Sequence, residues 1–163
     1  MTASKAGERA ASGAPPSGDE TATTLTLTWA VAAPREAVFQ AWTEPRRLAR
    51  WWWPARFETT YDVALHAGGG YRFRTIELPD LSVLCVSGVF LDMHELDRLV
   101  YTWSWEGSEA PETLVTVEFR ERGSSTEIAL THAGFATAED CDNHILGWTD
   151  CLKRLDLLVE QGL

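Results

Sequence analysis

The chain has 163 residues and a formal net charge of −10, from 24 acidic and 14 basic side chains. Hydrophobic residues make up 45% of it, enough to bury the core of one domain. The acidic balance argues against a nucleic-acid or anionic-membrane partner, because no stripe of Lys and Arg overrides it. No apolar run reaches the ~20 residues that would cross a bilayer.

The first twenty residues are rich in Ala, Gly, Ser and Pro and predict a disordered leader, residues 1–20. They lack the apolar centre of a secretory signal, so a single folded domain is expected over residues 21–163. The odd set of cysteines, Cys85, Cys141 and Cys151, then indicates a reducing cytoplasm. All three are interpreted as small buried hydrophobes.

The chain opens with one strand and two short helices. Apolar residues alternate with Thr in residues 23–33, which is the period of a half-buried strand. Pro34 lies in the first turn of a short helix, where proline is favoured. Pro45 ends that helix and begins a second one, which is predicted to continue through Trp51 and Trp52.

Strand-like segments fill the middle of the chain in antiparallel meander order. Six further strands are predicted, over residues 57–65, 71–78, 82–93, 98–106, 113–121 and 125–133. The glycines at 68–70 form one turn, and Arg122–Gly123–Ser124 forms a tight hairpin connection. With the first strand, the sheet has about seven strands.

One long helix closes the chain, from about Thr137 to Gln161. Thr137 is a good N-cap for this helix. The apolar side chains of the helix recur at steps of three and four residues. Gly147 lies within the helix, where a glycine costs ~1 kcal/mol. Close helix–sheet packing is the preferred interpretation of this glycine, and approach of a ligand is the alternative.

These elements predict an α+β fold in which a curved antiparallel sheet wraps around the last helix and a cavity remains between them.

Five segments of the chain together carry a resemblance to a known family. They are TWAVAAPREAVFQAWTEPRRLARWWWP, GGGYRFR, LVYTWSWEG, ETLVTVEFRERGSSTEIALTHAGF and GWTDCLKRLDLL, in this order. They resemble the SRPBCC superfamily, and more narrowly the bacterial single-domain relatives of the heat shock protein 90 ATPase activator C-terminal domain. The resemblance implies a helix-grip fold with a hydrophobic cavity and no shared catalytic residue set. Eukaryotic activators add an N-terminal domain that makes much of the chaperone contact, which puts a chaperone partner in doubt for this chain.

Candidate ligand-binding residues are those predicted to face the cavity. They are Phe73, Tyr101, Trp103, Trp105, Val117, Phe119, Leu130, His132, Phe135, His144, Trp148 and Leu152. His132, expected near the cavity mouth, and His144 could serve as acid or base, or they could be packed core histidines. No spacing of His and Cys is typical of a metal site, and no cofactor motif occurs.

Three consecutive tryptophans, Trp51, Trp52 and Trp53, cannot all face the core from one helix, because neighbouring helical residues point about 100° apart. At least one is expected at the surface or at the cavity entrance. An exposed cluster there could alternatively form a homodimer contact.

The nearly all-apolar inward residues favour a non-catalytic protein that binds a small apolar or aromatic molecule. Two alternatives remain open at this point. One is a cyclase- or aromatase-like enzyme that uses His132 or His144, and the other is a chaperone-associated protein.

Overall fold

The computed structural model describes residues 23–163, so the predicted leader lies outside the described residues. The strands are β1 (Thr23–Val31), β2 (Thr60–Val63), β3 (Gly70–Arg74), β4 (Cys85–His94), β5 (Arg98–Trp105), β6 (Thr113–Arg122) and β7 (Ser125–Phe135). The helices are α1 (Arg35–Thr43), α2 (Pro45–Leu48) and α3 (Ala138–Glu160), with a 3₁₀ turn at Ala55–Phe57.

All seven strands form one antiparallel sheet in the order β1-β7-β6-β5-β4-β3-β2. Strands β2 to β7 follow one another along the chain, and β1 returns to pair with β7. Most inward positions of β5, β6 and β7 are apolar, as their period-2 patterns predict, and the buried polar exceptions are Thr113, Thr126 and His132. The predicted α+β helix-grip fold, with a curved seven-stranded sheet and a long C-terminal helix, is confirmed.

The helix α3 lies along the sheet nearest to β1. The Thr137 hydroxyl accepts a hydrogen bond from the Asp140 backbone N–H at 3.1 Å, which confirms the predicted N-cap. The buried side chains of α3 are Cys141, Ile145, Trp148, Thr149, Cys151, Leu152, Leu155 and Leu158. Trp148 is buried, as the packing of this helix on the sheet requires.

The prediction that α2 continues through Trp52 is wrong, because α2 ends at Leu48 and the chain then turns. Within this turn Trp51 and Trp52 are both buried, whereas Trp53 is half-buried. The Arg154 guanidinium of α3 donates hydrogen bonds to the carbonyls of Trp51 and Trp52, at 2.9 and 2.7 Å. Both indoles therefore enter the core from an irregular backbone that α3 holds in place.

Strands β2 and β3 are shorter than predicted. Residues 55–57 form the 3₁₀ turn, and Glu58 after it has a left-handed backbone with φ of 43°, so β2 begins only at Thr60. Strand β3 ends at Arg74 rather than at residue 78. Just beyond it, the Thr75 hydroxyl accepts from the Leu84 N–H at 3.0 Å. A side chain thus occupies a position in the ladder where a backbone group would continue the strand.

Candidate ligand-binding site

Five tryptophans from four parts of the chain meet between the sheet and α3. They are Trp42 of α1, Trp51 and Trp52 of the turn after α2, Trp103 of β5 and Trp148 of α3. Trp42 stacks on Trp148 with ring centroids 6.0 Å apart, and Trp52 meets Trp148 edge-on at 5.3 Å. These rings pack against one another in the region where the sequence predicted a cavity.

A cleft of about 210 Å³ lies open beside this cluster, and we call it the tryptophan cleft. Its lining residues are Trp52, Trp53, Trp103, Trp105, Asn143, His144, Gly147, Trp148 and Cys151. Trp53 stacks on Trp105 with centroids 6.1 Å apart and an interplanar angle of 15°. The cleft is therefore mainly aromatic, and none of its lining side chains is an acid, a lysine or an arginine.

Gly147 lies on the part of α3 that faces this cleft. A Cβ added there would meet no atom within 4 Å, so the preferred interpretation of close helix–sheet packing at this residue is wrong. The helix instead stands off its neighbours at Gly147, and the missing side chain leaves room in the cleft. A larger residue at this position would occupy that room.

A second cleft, also of about 210 Å³, adjoins the first, and we call it the loop cleft. It is lined by Trp103, Trp105, Ser108, Ala110, Pro111, Thr113, Phe135, Ala136, Asp140, Asn143 and His144. Trp103, Trp105, Asn143 and His144 line both clefts. The two spaces thus follow the N-terminal half of α3 on either side of these shared residues.

His132 is fully buried and takes part in a chain of hydrogen bonds, so its expected place at the cavity mouth is wrong. The Trp148 indole N–H donates to His132 Nδ1 at 3.0 Å. The Thr113 hydroxyl donates to the Trp103 carbonyl at 3.2 Å, and so it accepts from His132 Nε2–H at 2.6 Å. Burial, with a smaller contribution from nearby His144, lowers the pKa of His132 to about 2. The ring is a neutral structural group.

His144 is fixed in a similar way by another tryptophan. Its Nδ1–H donates to the Asp140 carbonyl at 2.7 Å, and its Nε2 accepts from the Trp105 indole N–H at 2.9 Å. Burial lowers the pKa of His144. Both histidines are consequently neutral, with both ring nitrogens engaged. Neither offers a free base to a molecule in the cleft.

Two of the indoles that line the tryptophan cleft have no hydrogen-bond partner among the described residues. The Nε1–H groups of Trp52 and Trp103 are both buried and unpaired. A buried donor without an acceptor costs about 1–3 kcal/mol. The same small region therefore holds two satisfied indoles, Trp105 and Trp148, and two unsatisfied ones.

The predicted site residues fall into three groups. Trp103, Trp105, His144 and Trp148 line the tryptophan cleft, and Phe135 lines the loop cleft. Phe73 and Tyr101 line a separate cavity of only about 20 Å³. Val117, Phe119, Leu130, His132 and Leu152 lie in the packed core. Contact of any of them with a ligand stays a prediction.

The predicted list of ligand-binding residues leaves out Trp52, Trp53, Asn143, Gly147 and Cys151, all of which line the cleft. For the tryptophans a place at the cavity entrance had been one expectation, and at Gly147 a ligand had been the alternative. A signal for three of these five residues was present in the helix. Asn143, Gly147 and Cys151 follow one another at four-residue steps beside the apolar stripe, so they share one line of the helix surface. A polar and a small residue on such a line indicate a place where the helix does not pack.

Residues 23–163 contain neither a candidate membrane-spanning helix nor a candidate metal-binding cluster. None of the helices in this range combines the length and apolar character needed to span a bilayer. In the same range, no three side chains of His, Cys, Asp or Glu lie close enough together to hold a metal ion.

Comparison with known proteins agrees with this fold. The family model described as "Activator of Hsp90 ATPase homolog 1-like protein" matches residues 32–160. The chain belongs to this family, and the predicted recognition is confirmed. No curated protein matches the chain significantly.

Solved bacterial structures are similar over most of the chain. Protein CV1439 from Chromobacterium violaceum is 25% identical, with a TM-score of 0.73, 84% of this chain covered and 96% of that one. CalU16 from Micromonospora echinospora is 25% identical, with a TM-score of 0.68 and coverage of 94% and 85%. A protein from Rhodobacter sphaeroides is 23% identical, with a TM-score of 0.72 and coverage of 86% and 93%. These likenesses agree with the fold described above.

Proposed function

We propose that the protein binds a small, uncharged aromatic molecule in the tryptophan cleft and does not transform it. The observation that carries this proposal is the lining of the cleft. Five tryptophans and one neutral histidine surround about 210 Å³ of space. A family named for chaperone activators does not transfer that activity to this chain, because function resides in sites rather than folds.

The volume limits the ligand to one or two fused rings. A dry apolar cavity of roughly 150 Å³ holds a benzene molecule, so about 210 Å³ suits a slightly larger aromatic. Flat rings also match the indole faces of Trp53 and Trp105, which lie nearly parallel to each other at the cleft.

The charges favour a neutral ligand. A carboxylate that entered the cleft would lose its hydration. No Arg or Lys lines the cleft to compensate, so burying this charge would be costly. The chain also carries a net charge of −10, which repels anions at long range. Asn143, which is exposed at the cleft, is the lining side chain best suited to bond a neutral polar substituent.

The histidines support binding rather than acid–base catalysis. His132 and His144 each receive an indole N–H and donate their own proton to an oxygen. A base must be free to accept a proton from its substrate, so either residue would first have to break these bonds.

Isothermal titration of the protein with 2-naphthol and with 2-naphthoate tests the proposal. We expect 2-naphthol to bind at one site per chain with a Kd on the order of 0.1 mM or tighter. The charged 2-naphthoate should bind at least about tenfold more weakly. Equal or tighter binding of 2-naphthoate would contradict the proposed neutral site.

A variant locates the binding site. Gly147→Leu places a side chain in the cleft and is expected to abolish 2-naphthol binding while the protein stays folded. Lys153→Leu is the matched control, because Lys153 is exposed on the same helix and does not line the cleft. Binding that survives Gly147→Leu would place the ligand elsewhere.

A further inference from the structure

We propose that Trp105 is a specificity-determining residue that confines the ligand to the tryptophan cleft by separating it from the loop cleft. This inference rests on the proposed function and adds a limit on ligand length. Two spaces of about 210 Å³ each lie end to end along α3, and Trp105 lines both.

At the boundary between the two clefts, a hydrogen bond connects the sheet to the helix. Trp105 is the last residue of β5, and His144 belongs to α3. The hydrogen bond from Trp105 Nε1 to His144 Nε2, at 2.9 Å, therefore crosses the gap that the clefts share. Without the indole, the two clefts would form one groove from Asp140 near the start of α3 to Cys151.

Trp105 rather than His144 is the partner that decides the length of this space. His144 is held on its other side by the Asp140 carbonyl at 2.7 Å, four residues earlier in the same helix. Trp105 is half-buried and stands at the end of its strand, and Gly107 with φ of +83° follows in the turn. Its large ring fills the gap, whereas a shorter side chain at the same position would not reach the helix.

The consequence is discrimination by ligand length. A two-ring molecule fits in the tryptophan cleft with the hydrogen bond between Trp105 and His144 intact. A linear three-ring molecule of the same chemistry would have to displace the Trp105 ring and break its hydrogen bond with His144. The wild-type protein should therefore prefer 2-naphthol to 2-anthrol, which differs by one ring in line with the others.

Titration of both compounds against wild type and Trp105→Leu is the test. Wild type is expected to bind 2-naphthol at least about fivefold more tightly than 2-anthrol. In Trp105→Leu this ratio should shift by about tenfold or more toward 2-anthrol, because the joined groove accepts the third ring. An unchanged ratio in a folded Trp105→Leu protein would overturn the inference.

Trp53→Leu is the matched control. Trp53 is also a half-buried tryptophan of the tryptophan cleft, but it does not line the loop cleft. Replacing Trp53 should weaken the binding of both compounds and leave the ratio of their two Kd values unchanged. If Trp53→Leu shifted the ratio as much as Trp105→Leu does, any loss of aromatic packing would reduce the selection by ligand length. That result would overturn the role assigned to Trp105.

A second variant keeps the test decisive if Trp105→Leu does not fold. His144→Ala removes the acceptor that holds the Trp105 ring across the gap and leaves the β5 strand untouched. The released ring can then move aside, so the ratio should shift in the same direction, though by less than in Trp105→Leu. The outcomes separate the two proposals. If 2-naphthol binds in the cleft and neither variant shifts the ratio, only the role of Trp105 is overturned. If wild type does not bind 2-naphthol, the proposed function and the role of Trp105 are both overturned.

Discussion

The two halves of α3 meet the sheet in different ways. In the C-terminal half, Leu152, Leu155 and Leu158 are buried, and Asp156 accepts a hydrogen bond from the Trp29 indole of β1 at 3.0 Å. In the N-terminal half, Asn143 and Gly147 are exposed and border clefts. One apolar stripe thus holds the domain together at one end and leaves space for a ligand at the other.

The difference teaches how a small domain can keep a binding site without losing its core. The packed end supplies apolar burial, at roughly 1.5–3 kcal/mol for each large side chain. The open end carries local costs, which include a helical glycine and two unpaired indole N–H groups. The two ends of α3 should therefore respond differently to substitution.

The largest expected effect is at the packed end. Leu155→Ala removes a fully buried side chain and should lower the free energy of unfolding by ~2–5 kcal/mol. Asn143→Ala, at the open end, should change it by no more than ~0.5 kcal/mol. Urea denaturation of both variants checks the contrast, and equal losses would show that the two ends are packed alike.

Acid should weaken the protein through His132. Burial lowers its pKa in the folded protein to about 2 from the ordinary 6.5, so below pH 6.5 the unfolded chain binds a proton that the folded chain does not. The stabilising contribution is complete above pH 6.5 and is lost as the pH falls from there toward 2, at ~1.4 kcal/mol per pH unit.

The matched variant for this pH effect is His132→Gln, which keeps hydrogen-bonding groups but cannot titrate. Wild type should be the more stable protein at pH 7, and the difference in unfolding free energy should narrow below pH 6.5. His144 is present in both proteins, so its contribution cancels. A constant difference between pH 7 and pH 5 would mean that His132 titrates normally in the folded state.

Two aromatic substitutions compare satisfied with unsatisfied indoles. Trp148→Phe leaves His132 Nδ1 without its donor, whereas Trp103→Phe deletes an N–H that has no partner. Trp148→Phe should therefore be the more destabilising by ~1–3 kcal/mol, measured by denaturation. The reverse order would show that the Trp103 N–H is bonded in solution.

The smallest expected effect has the opposite sign. Gly147→Ala should raise the free energy of unfolding by up to ~1 kcal/mol, because alanine favours the helix and its Cβ meets open space. Thermal unfolding would show this as a higher Tm. A loss of stability would instead indicate that the helix approaches its neighbours at Gly147 in solution.

Much of the fold could be predicted from local sequence patterns. The alternation in β1 and the Thr137 cap depend on neighbouring residues, and both are as predicted. The turn at Trp51 and Trp52 could not be predicted, because its backbone is held by Arg154, about a hundred residues later in the chain. A helix was the simpler expectation for that segment.

The candidate site was predictable only in part, for the same reason. The alternation of side chains along β5 indicated that Trp103 and Trp105 face inward, and helical spacing indicated the same for His144 and Trp148. Neither pattern reveals which inward residues border empty space. Leu130 and Trp103 share an inward orientation, but only Trp103 lines a cleft, since the gap depends on where α3 stands off the sheet.

The buried thiol of Cys151 has a consequence for the chemical reactivity of the protein. It donates to the Trp52 carbonyl at 2.9 Å, and burial raises its pKa to about 12, so almost no thiolate forms at neutral pH. Alkylating reagents should therefore modify it only when α3 separates from the Trp52 turn. Mass spectrometry of Cys151 labelling over time would measure how often this opening occurs, and a ligand in the cleft should slow it.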